Sequence, residues 1–393
     1  MRNTALKIFP ALNGDAMILT LNEVTILIDS GYVDTYHNYI KPALLELQRK
    51  NLPLSLFITT HIDSDHISGG IAFLTENIKD QVIPIQNIWH NSYRHLTQFE
   101  PLQKEEINGN SLDSLSNKSI LKESEKEKNI SAEQGSSLAI LIQKGSYPWN
   151  QHFAGKAVCI ENGMNIQLTS SILIKVLSPD SWKLSKLYGF WKKELYKRSY
   201  KVDNDQKPFD DAFEFIIGSE REIKRVINKE ISASTVDLES LAKTVTPEDE
   251  RISNGSSIAF SIEWENKRTL FLGDAHPSLI VKSLKSTFKG ESFPLKFNLI
   301  KVSHHGSIQN TSPELLELID SENFMISTNG KVFNHPDIET IARIVTRKSN
   351  FKRTLYFNYP TTVSTVLNEE GLKKKYNYEI VVGDGKESID FNI

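Results

Sequence analysis

The chain predicts an α/β fold, and three observations lead there. Short β-branched runs alternate with amphipathic stretches from the N-terminus onward. Several of those runs stop abruptly at glycine together with acidic or imidazole side chains. The same alternation and punctuation resume after about residue 250, so the strands and helices fall into two halves.

Element by element, "ALKIF", "AMILTL" and "VTILIDSG" read as three strands separated by turns. In "DTYHNYIKPALLELQRKN" the apolar positions recur at helical spacing, which predicts a helix. "LSLFITT" is the next strand, and a further helix is expected to start at the two glycines after His66. Between Gln98 and Asn129 the composition turns polar, and residues 98–130 read as a mobile insertion with a solvated-linker composition. "SAEQGSSLAILIQKG" then looks helical, with Ser131 and Gln134 at capping-box spacing. "SSILIKVLSPD" returns to a strand. Residues 131–250 read as a mixed helical insertion region near the active-site face. In the second half "SSIAFSIEW", "RTLFLGD", "FNLIKVSHHGS", "NFMISTNG" and "TLYFN" are strands. A helix from Pro277 and the helix "DIETIARIVTRK" lie between them.

Composition narrows the function classes. The 393 residues are 39% hydrophobic and 24% charged, ordinary for a water-soluble globular protein and enough for a substantial core. A formal net charge of −3 gives no global attraction to nucleic acid or acidic membranes, so any basic surface must be local. Cys159 is the one cysteine, which excludes an internal disulfide and fits a reducing compartment. The N-terminal stretch lacks the apolar core of a signal peptide, and no apolar run reaches the ~18–20 residues of a membrane span. The expectation is a cytoplasmic protein without a membrane partner.

The chemistry concentrates in "FITTHIDSDHISGG", which sets His61, Asp63, Asp65 and His66 at the end of a strand. Imidazole nitrogens and carboxylate oxygens are the natural ligands of divalent first-row metals. A turn there can splay them around two adjacent ions; a polar surface loop is the bland alternative. Two further strand ends weigh against it: "RTLFLGDAH" places Asp274 at a strand tip, and "LIKVSHHGS" places His304 and His305 at another. Strand ends are where open α/β architectures put their chemistry.

These residues carry a resemblance. "HIDSDH" resembles the HxHxDH motif of the metallo-β-lactamase fold, with Asp63 in place of the second histidine. With "ALNGDAMIL", "ILIDSG", "FLGDA" and "VSHHGS" it is similar to one branch of that fold. The branch holds the metallo-hydrolase domain of the bacterial DNA-uptake protein ComEC and its soluble relatives. The matching blocks run in order from about Ala11 to Pro336. The resemblance implies a single four-layer αββα domain over residues 1–393 with two divalent ions, Zn or Mn, in a cleft. It assigns His61 and Asp63 to the first ion, Asp65 and His66 to the second, and Asp274 to a bridging position. One of His304 and His305 matches the last histidine; His304 is taken as the ligand and His305 as the residue near the substrate. The family's intervening histidine has no unmistakable match. His90 is the first choice, with a structural role as its alternative, and His152 the second. Asp63 adds a hard oxygen donor, which moves the preference from Zn toward Mn.

The resemblance further implies hydrolysis by a hydroxide activated between two ions, with Asp65 orienting it. His335, in "GKVFNHPD", is then a phosphate contact or proton donor, with a turn histidine as its alternative. His276 is an outer partner, Asp15 and Asp29 support the cluster or merely serve turns, and Lys301 reads as a strand-edge lysine. The leading function is a phosphodiesterase, foremost a nuclease, with nucleic acid as substrate and a protein partner supplying specificity. Hydrolysis of small esters, thioesters or lactones is one alternative, and a metal-stabilised interaction module another. Residues 183–201 interleave lysines with aromatic residues, as a nucleic-acid track would. Leu184, Leu187, Tyr188, Trp191 and Leu195 share one helical face, however, and an amphipathic helix is the preferred reading.

Overall fold

The computed structural model describes residues 4–99, 137–197 and 236–393. Most of the polar stretch 98–130, the Ser131–Gln134 spacing and the end of the 183–201 stretch lie outside them.

Among the described residues, two sheets dominate. Strands β1 (Thr4–Ile8), β2 (Ala16–Leu21) and β3 (Val24–Ser30) form an antiparallel meander. A short π-helical turn, Tyr36–Ile40, leads into helix α1 (Lys41–Arg49). β4 (Leu56–Ile58), helix α2 (Ser64–Asp80) and β5 (Ile88–Trp89) follow, with β4 parallel to β3 and to β5. Helix α3 (Leu138–Lys144) starts at Ser137, whose hydroxyl accepts from the Ile140 amide, so the described helix begins beyond the Ser131 cap. β6 (Asn165–Thr169), β7 (Ile172–Ser178), helix α4 (Ser181–Lys197), β8 (Ala259–Trp264) and β9 (Lys267–Phe271) open the second half. Helix α5 (Pro277–Thr287), β10 (Leu295–Phe297), β11 (Leu299–Lys301), β12 (Ile319–Ser321) and β13 (Asn323–Ile326) continue it. Helix α6 (Ile338–Val345), β14 (Arg353–Phe357), β15 (Tyr378–Val382) and β16 (Ile389–Asn392) complete the chain.

The first sheet runs β16-β1-β2-β3-β4-β5 and the second β15-β14-β13-β11-β9-β8-β7-β6. β16 returns antiparallel to β1, which joins the end of the described chain to its beginning.

Side-chain alternation along the strands sets the layers. Ile26, Ile28, Leu56 and Ile58 of the first sheet share one core with Val176, Phe260, Phe271 and Met325 of the second. Leu27 and Phe57 point the other way, into a core with Leu44, Phe73, Leu74 and Trp191 from the helices. Leu270, Ile300 and Phe324 meet Ile280, Leu284 and Ile341 on the far face of the second sheet. Helix, sheet, sheet and helix therefore stack in that order, the αββα sandwich. Strands buried on both faces explain why these segments read as continuous apolar runs.

Two sequence expectations change. Helix α2 starts at Ser64 with Asp63 at its N-cap, ahead of the two glycines, so Asp65 and His66 occupy its first turn. The glycines serve packing instead: a Cβ on Gly69 would stand 2.0 Å from the Ser30 carbonyl oxygen, and the Gly69 amide donates to Gly31 O at 2.9 Å. Lys301 is no edge lysine. β11 lies between β9 and β13, and Lys301 is fully buried with its Nζ 2.6 Å from Asp15.

Leu184, Leu187, Tyr188 and Trp191 of α4 are buried in the helix-side core. The amphipathic-helix reading therefore describes this element, and its buried rings are not placed to stack on bases.

Candidate metal centre

The parallel strands deliver the site, because their C-terminal ends lie along one edge. β3 carries Asp29 as its penultimate residue, β4 runs on to His61, β9 to Asp274 and β11 to His304 and His305. Three of these residues, Asp29 (φ 52°), His304 (φ 43°) and His305 (φ 55°), take left-handed backbone conformations uncommon outside glycine. Strain of this kind persists where surrounding contacts fix it, as they do here.

Asp274 is the hub. Its Oδ2 lies 3.6 Å from His61 Nε2, 3.8 Å from His66 Nε2 and 3.8 Å from His304 Nε2. Ser257 Oγ accepts from the Asp274 amide at 3.0 Å, and Asn310 Nδ2 donates to the Asp274 carbonyl at 3.1 Å. Gly273, at φ 49°, makes the turn, and a Cβ there would stand 2.4 Å from Ser257 Oγ.

Around this hub the ligand-type atoms form overlapping groups. Those of His61, His66 and Asp274 lie within 4.8 Å of one another, as do those of Asp65, His66 and His305 and those of Asp15, Asp29 and His66. Asp63 Oδ2 is 3.8 Å from His61 Nε2, and Asp65 Oδ2 is 3.6 Å from His305 Nε2. His305 thus groups with Asp65 and His66, while His304 faces Asp274, the position the resemblance gives to the bridging carboxylate. His90 joins none of these groups among the described residues. It is buried, its ring stacks on Trp149 at 6.0 Å, and its carbonyl accepts from Trp149 Nε1 and Asn150 Nδ2. The half-buried His152 accepts at its Nδ1 from Trp89 Nε1 at 2.9 Å, and it also joins none among the described residues.

Each imidazole is oriented from behind. His66 Nδ1 meets Asp29 Oδ2 at 2.8 Å, and Thr60 donates to the same carboxylate through its amide (2.7 Å) and hydroxyl (2.8 Å). His305 Nδ1 donates to Ser327 O at 2.9 Å and faces Asp15 at 3.6 Å. His304 Nδ1 meets Asn310 Oδ1 at 2.9 Å and Asp249 Oδ2 at 3.5 Å. These partners leave the Nε2 atoms directed at the carboxylates.

Burial opposes charge on His66, but Asp29, Asp274 and Asp65 outweigh it and hold the imidazolium well above its ordinary range. His305 follows the same balance, with Asp274, Asp15 and Asp65 raising it to about 9. Burial and the neighbouring His66 push His61 down to about 3. Burial raises Asp63 to about 7 in spite of Arg251, and lowers nothing at Asp65, where His66 and His305 prevail and bring the carboxyl to about 2.

A cation fits this donor set. His61 Nε2, His66 Nε2, Asp63 Oδ1 and Asp274 Oδ1 are buried and have no hydrogen-bond partner among the described residues. Each such atom costs roughly 1–3 kcal/mol when left unsatisfied, and a divalent ion accepting their lone pairs offsets that cost.

Asp249, Arg251 and Asn13 carry no sequence signal of their own, whereas His276 and His335 are expected from the sequence. Asp249 accepts from Asn254 Nδ2 (2.7 Å) and Asn310 Nδ2 (3.0 Å) beside His304. Arg251 Nη2 lies 3.0 Å from Asp63 Oδ2. Asn13 Nδ2 donates to Asp65 Oδ2 at 2.8 Å. His276 bridges Lys183 Nζ (2.6 Å) and the Arg251 carbonyl (3.0 Å). His335 is half-buried, its ring 5.2 Å from that of His304 and its Nδ1 3.5 Å from Asp337 Oδ1. No helix among the described residues is long and apolar enough to cross a membrane.

No family model matches the chain, and no curated protein matches it. Among solved structures, the chain is similar to the Zn(2+)-bound crystal structure of PqqB from Methylobacterium extorquens. The TM-score is 0.38 and the identity 8%, over 97% of this chain and 88% of that one.

Proposed function

We propose that the chain is a metal-dependent hydrolase of phosphodiester bonds, with nucleic acid as the favoured substrate and Zn or Mn as the metal. The observation that carries this reading is the grouping of buried ligand atoms of His61, His66 and Asp274 within 4.8 Å of one another, with Asp63 Oδ2 3.8 Å from His61 Nε2, where parallel strand ends meet the first turn of α2. When bound, divalent ions would supply hydroxide from water near neutral pH and offset charge on phosphoryl oxygens.

The chain's own groups divide the remaining work. His61, Asp63 and Asp274 would hold one ion and Asp65, His66 and His305 the other, with His304 closing the far side of Asp274. Asp65, steadied by Asn13, is set to accept a proton from the attacking water. His335, steadied at Nδ1 by Asp337, is set to give a proton from Nε2 to the leaving oxygen. Arg251 and Lys183 border the cluster and supply cationic partners for phosphate oxygens. These cations favour a phosphodiester over a neutral ester or lactone. The buried rings of α4 remove one stacking surface, so discrimination among polymers falls to the protein partner that the sequence reading includes.

The test is purified protein with Mn²⁺ or Zn²⁺ on bis-p-nitrophenyl phosphate, single-stranded DNA, duplex DNA and RNA, against Asp65→Ala. Metal-dependent cleavage of the diester and of one polymer, lost in the variant, is the expected result. Cleavage of the small diester alone removes nucleic acid from the proposal. Cleavage only of carboxylic esters or lactones overturns it.

A further inference from the structure

Asp65 ends a chain of side-chain hydrogen bonds that begins at Tyr32. Asn13 Nδ2 donates to Asp65 Oδ2 at 2.8 Å, and the Tyr32 hydroxyl donates to Asn13 Oδ1 at 3.1 Å. On that Asp65 oxygen Asn13 makes a closer contact than His305, whose Nε2 stands 3.6 Å away.

Chemistry fixes the direction of the chain. An ionised carboxylate only accepts hydrogen bonds, so Asp65 requires the NH₂ end of the Asn13 amide. That turns Oδ1 toward Tyr32, and because an amide oxygen also only accepts, the phenol must donate. Burial, with Asp65 close by, pushes the Tyr32 phenol above its ordinary range, so the proton is there to give.

The backbone on either side of Asn13 is pinned. Leu12 O accepts from the Asn329 amide at 2.8 Å, Gly14 O accepts from Ser327 Oγ at 2.8 Å, and the Asp15 amide donates to Asp65 O at 3.3 Å. A Cβ on Gly14 would stand 1.9 Å from Asp65 O, so this loop lies directly against the Asp65 backbone. The side-chain amide of the buried Asn13 is the part that can still turn, and the Tyr32 hydroxyl opposes that turn. Tyr32 is anchored in its own right: its carbonyl accepts from the Tyr36 amide at 3.1 Å and its amide donates to Thr35 Oγ1 at 3.3 Å.

We propose that Tyr32 is a positioning residue of the centre: its hydroxyl locks the Asn13 amide, and that amide sets the Asp65 carboxylate toward His66 and His305. Tyr32 acts through Asp65 and does not touch the substrate. An ion held there would take the Nε2 lone pair of His305, and the Asn13 hydrogen bond would then keep Asp65 in place. The effect on turnover rests on the proposed role of Asp65 as proton acceptor, whereas the effect on metal affinity rests on the metal centre alone.

The experiment compares Tyr32→Phe with wild type in the full chain, by Mn²⁺ titration calorimetry and by kinetics on bis-p-nitrophenyl phosphate. Tyr32→Phe is expected to weaken Mn²⁺ binding and to lower kcat by about three- to tenfold each, the worth of one neutral hydrogen bond, with KM unchanged. Asn13→Ala is expected to weaken Mn²⁺ binding about 10–100-fold. Combined with Asn13→Ala or with Asp65→Ala, Tyr32→Phe is expected to weaken Mn²⁺ binding no further, because its effect passes through both residues. Exchange of the Asn13 side-chain NH₂ protons with solvent reads the lock directly. It is followed by NMR on ¹⁵N-asparagine-labelled protein, the signal being identified by its loss in Asn13→Ala, and is expected to quicken in Tyr32→Phe. Losses that multiply in every background, unchanged NH₂ exchange, or a raised KM with kcat intact would each overturn the inference. A wild type that shows these couplings in Mn²⁺ binding without cleaving the diester supports the inference and counts only against the proposed activity. One that binds no Mn²⁺ overturns the centre and the inference together.

Discussion

Asp29→Asn changes one atom of a buried carboxylate and tests how His66 is prepared. Asp29 accepts three hydrogen bonds, from the Thr60 amide (2.7 Å), the Thr60 hydroxyl (2.8 Å) and His66 Nδ1 (2.8 Å). In the variant the amide oxygen can keep the Thr60 amide, but an NH₂ replaces the oxygen facing His66. A donor there forces His66 Nδ1 to act as acceptor, which moves the ring proton to Nε2. That proton then points at Asp274 and blocks the lone pair a metal ion would take. Losing one charge-assisted hydrogen bond costs about 1.5–3 kcal/mol of stability. Loss of an outer partner of this kind typically weakens metal binding about 10–100-fold. Competition with a chromogenic chelator measures the affinity, and urea unfolding of the metal-free protein measures the stability. An affinity within a factor of about two of wild type, against the expected 10–100-fold loss, would show that Asp29 does not set the His66 tautomer.

Metal binding should release protons. His66 is held well above its ordinary range and His305 near 9, so both carry a proton at neutral pH until an ion displaces it. Affinity is expected to rise with pH up to about 9, and calorimetry in buffers of different ionisation heat counts the protons; pH-independent binding contradicts this. The same raised His305 contributes stability to the metal-free protein that is complete below its ordinary pKa and is lost as pH rises through about 9, visible as a falling melting temperature. Asp320→Ala removes a buried carboxylate bonded to Arg353 Nε (3.1 Å) and Nη2 (2.9 Å) and to Arg347 Nη2 (3.0 Å). Stranding those guanidinium groups is expected to cost roughly 3–5 kcal/mol in urea unfolding, and a loss near zero would refute the ion-pair assignment. Trp191→Ala empties a fully buried position between α4 and the first sheet and is expected to cost about 3–5 kcal/mol, whereas a base-stacking residue would lose nucleic-acid affinity and little stability.

The legible part of this protein was its strand ends. A ligand-type residue at a strand end beside glycine announces itself: His61, Asp274, His304 and His305 stand out in the sequence that way, and Asp63, Asp65 and His66 follow His61 directly. The layers followed because strands buried on both faces read as unbroken apolar runs. What stayed hidden depends on partners distant along the chain. Lys301 reads as an edge residue until Asp15 is seen beside it in the interior. Asp249 and Arg251 sit in the charged run "PEDERIS", where nothing local separates a site residue from a solvated one. The sequence places the start of α2 too late because glycines usually mark a boundary, whereas Gly69 is needed for close backbone approach to Ser30. β16 has no local signal because its four residues become a strand only through pairing with β1.

The central claim is that distant strand ends build a two-ion centre around Asp274. Anomalous diffraction from Mn²⁺-soaked crystals, collected on both sides of the manganese absorption edge, tests it directly. The account predicts manganese peaks on either side of the Asp274 carboxylate, one against His61 and Asp63 and one against Asp65, His66 and His305. A cleft without a manganese peak, or manganese held only by surface carboxylates elsewhere, would contradict it.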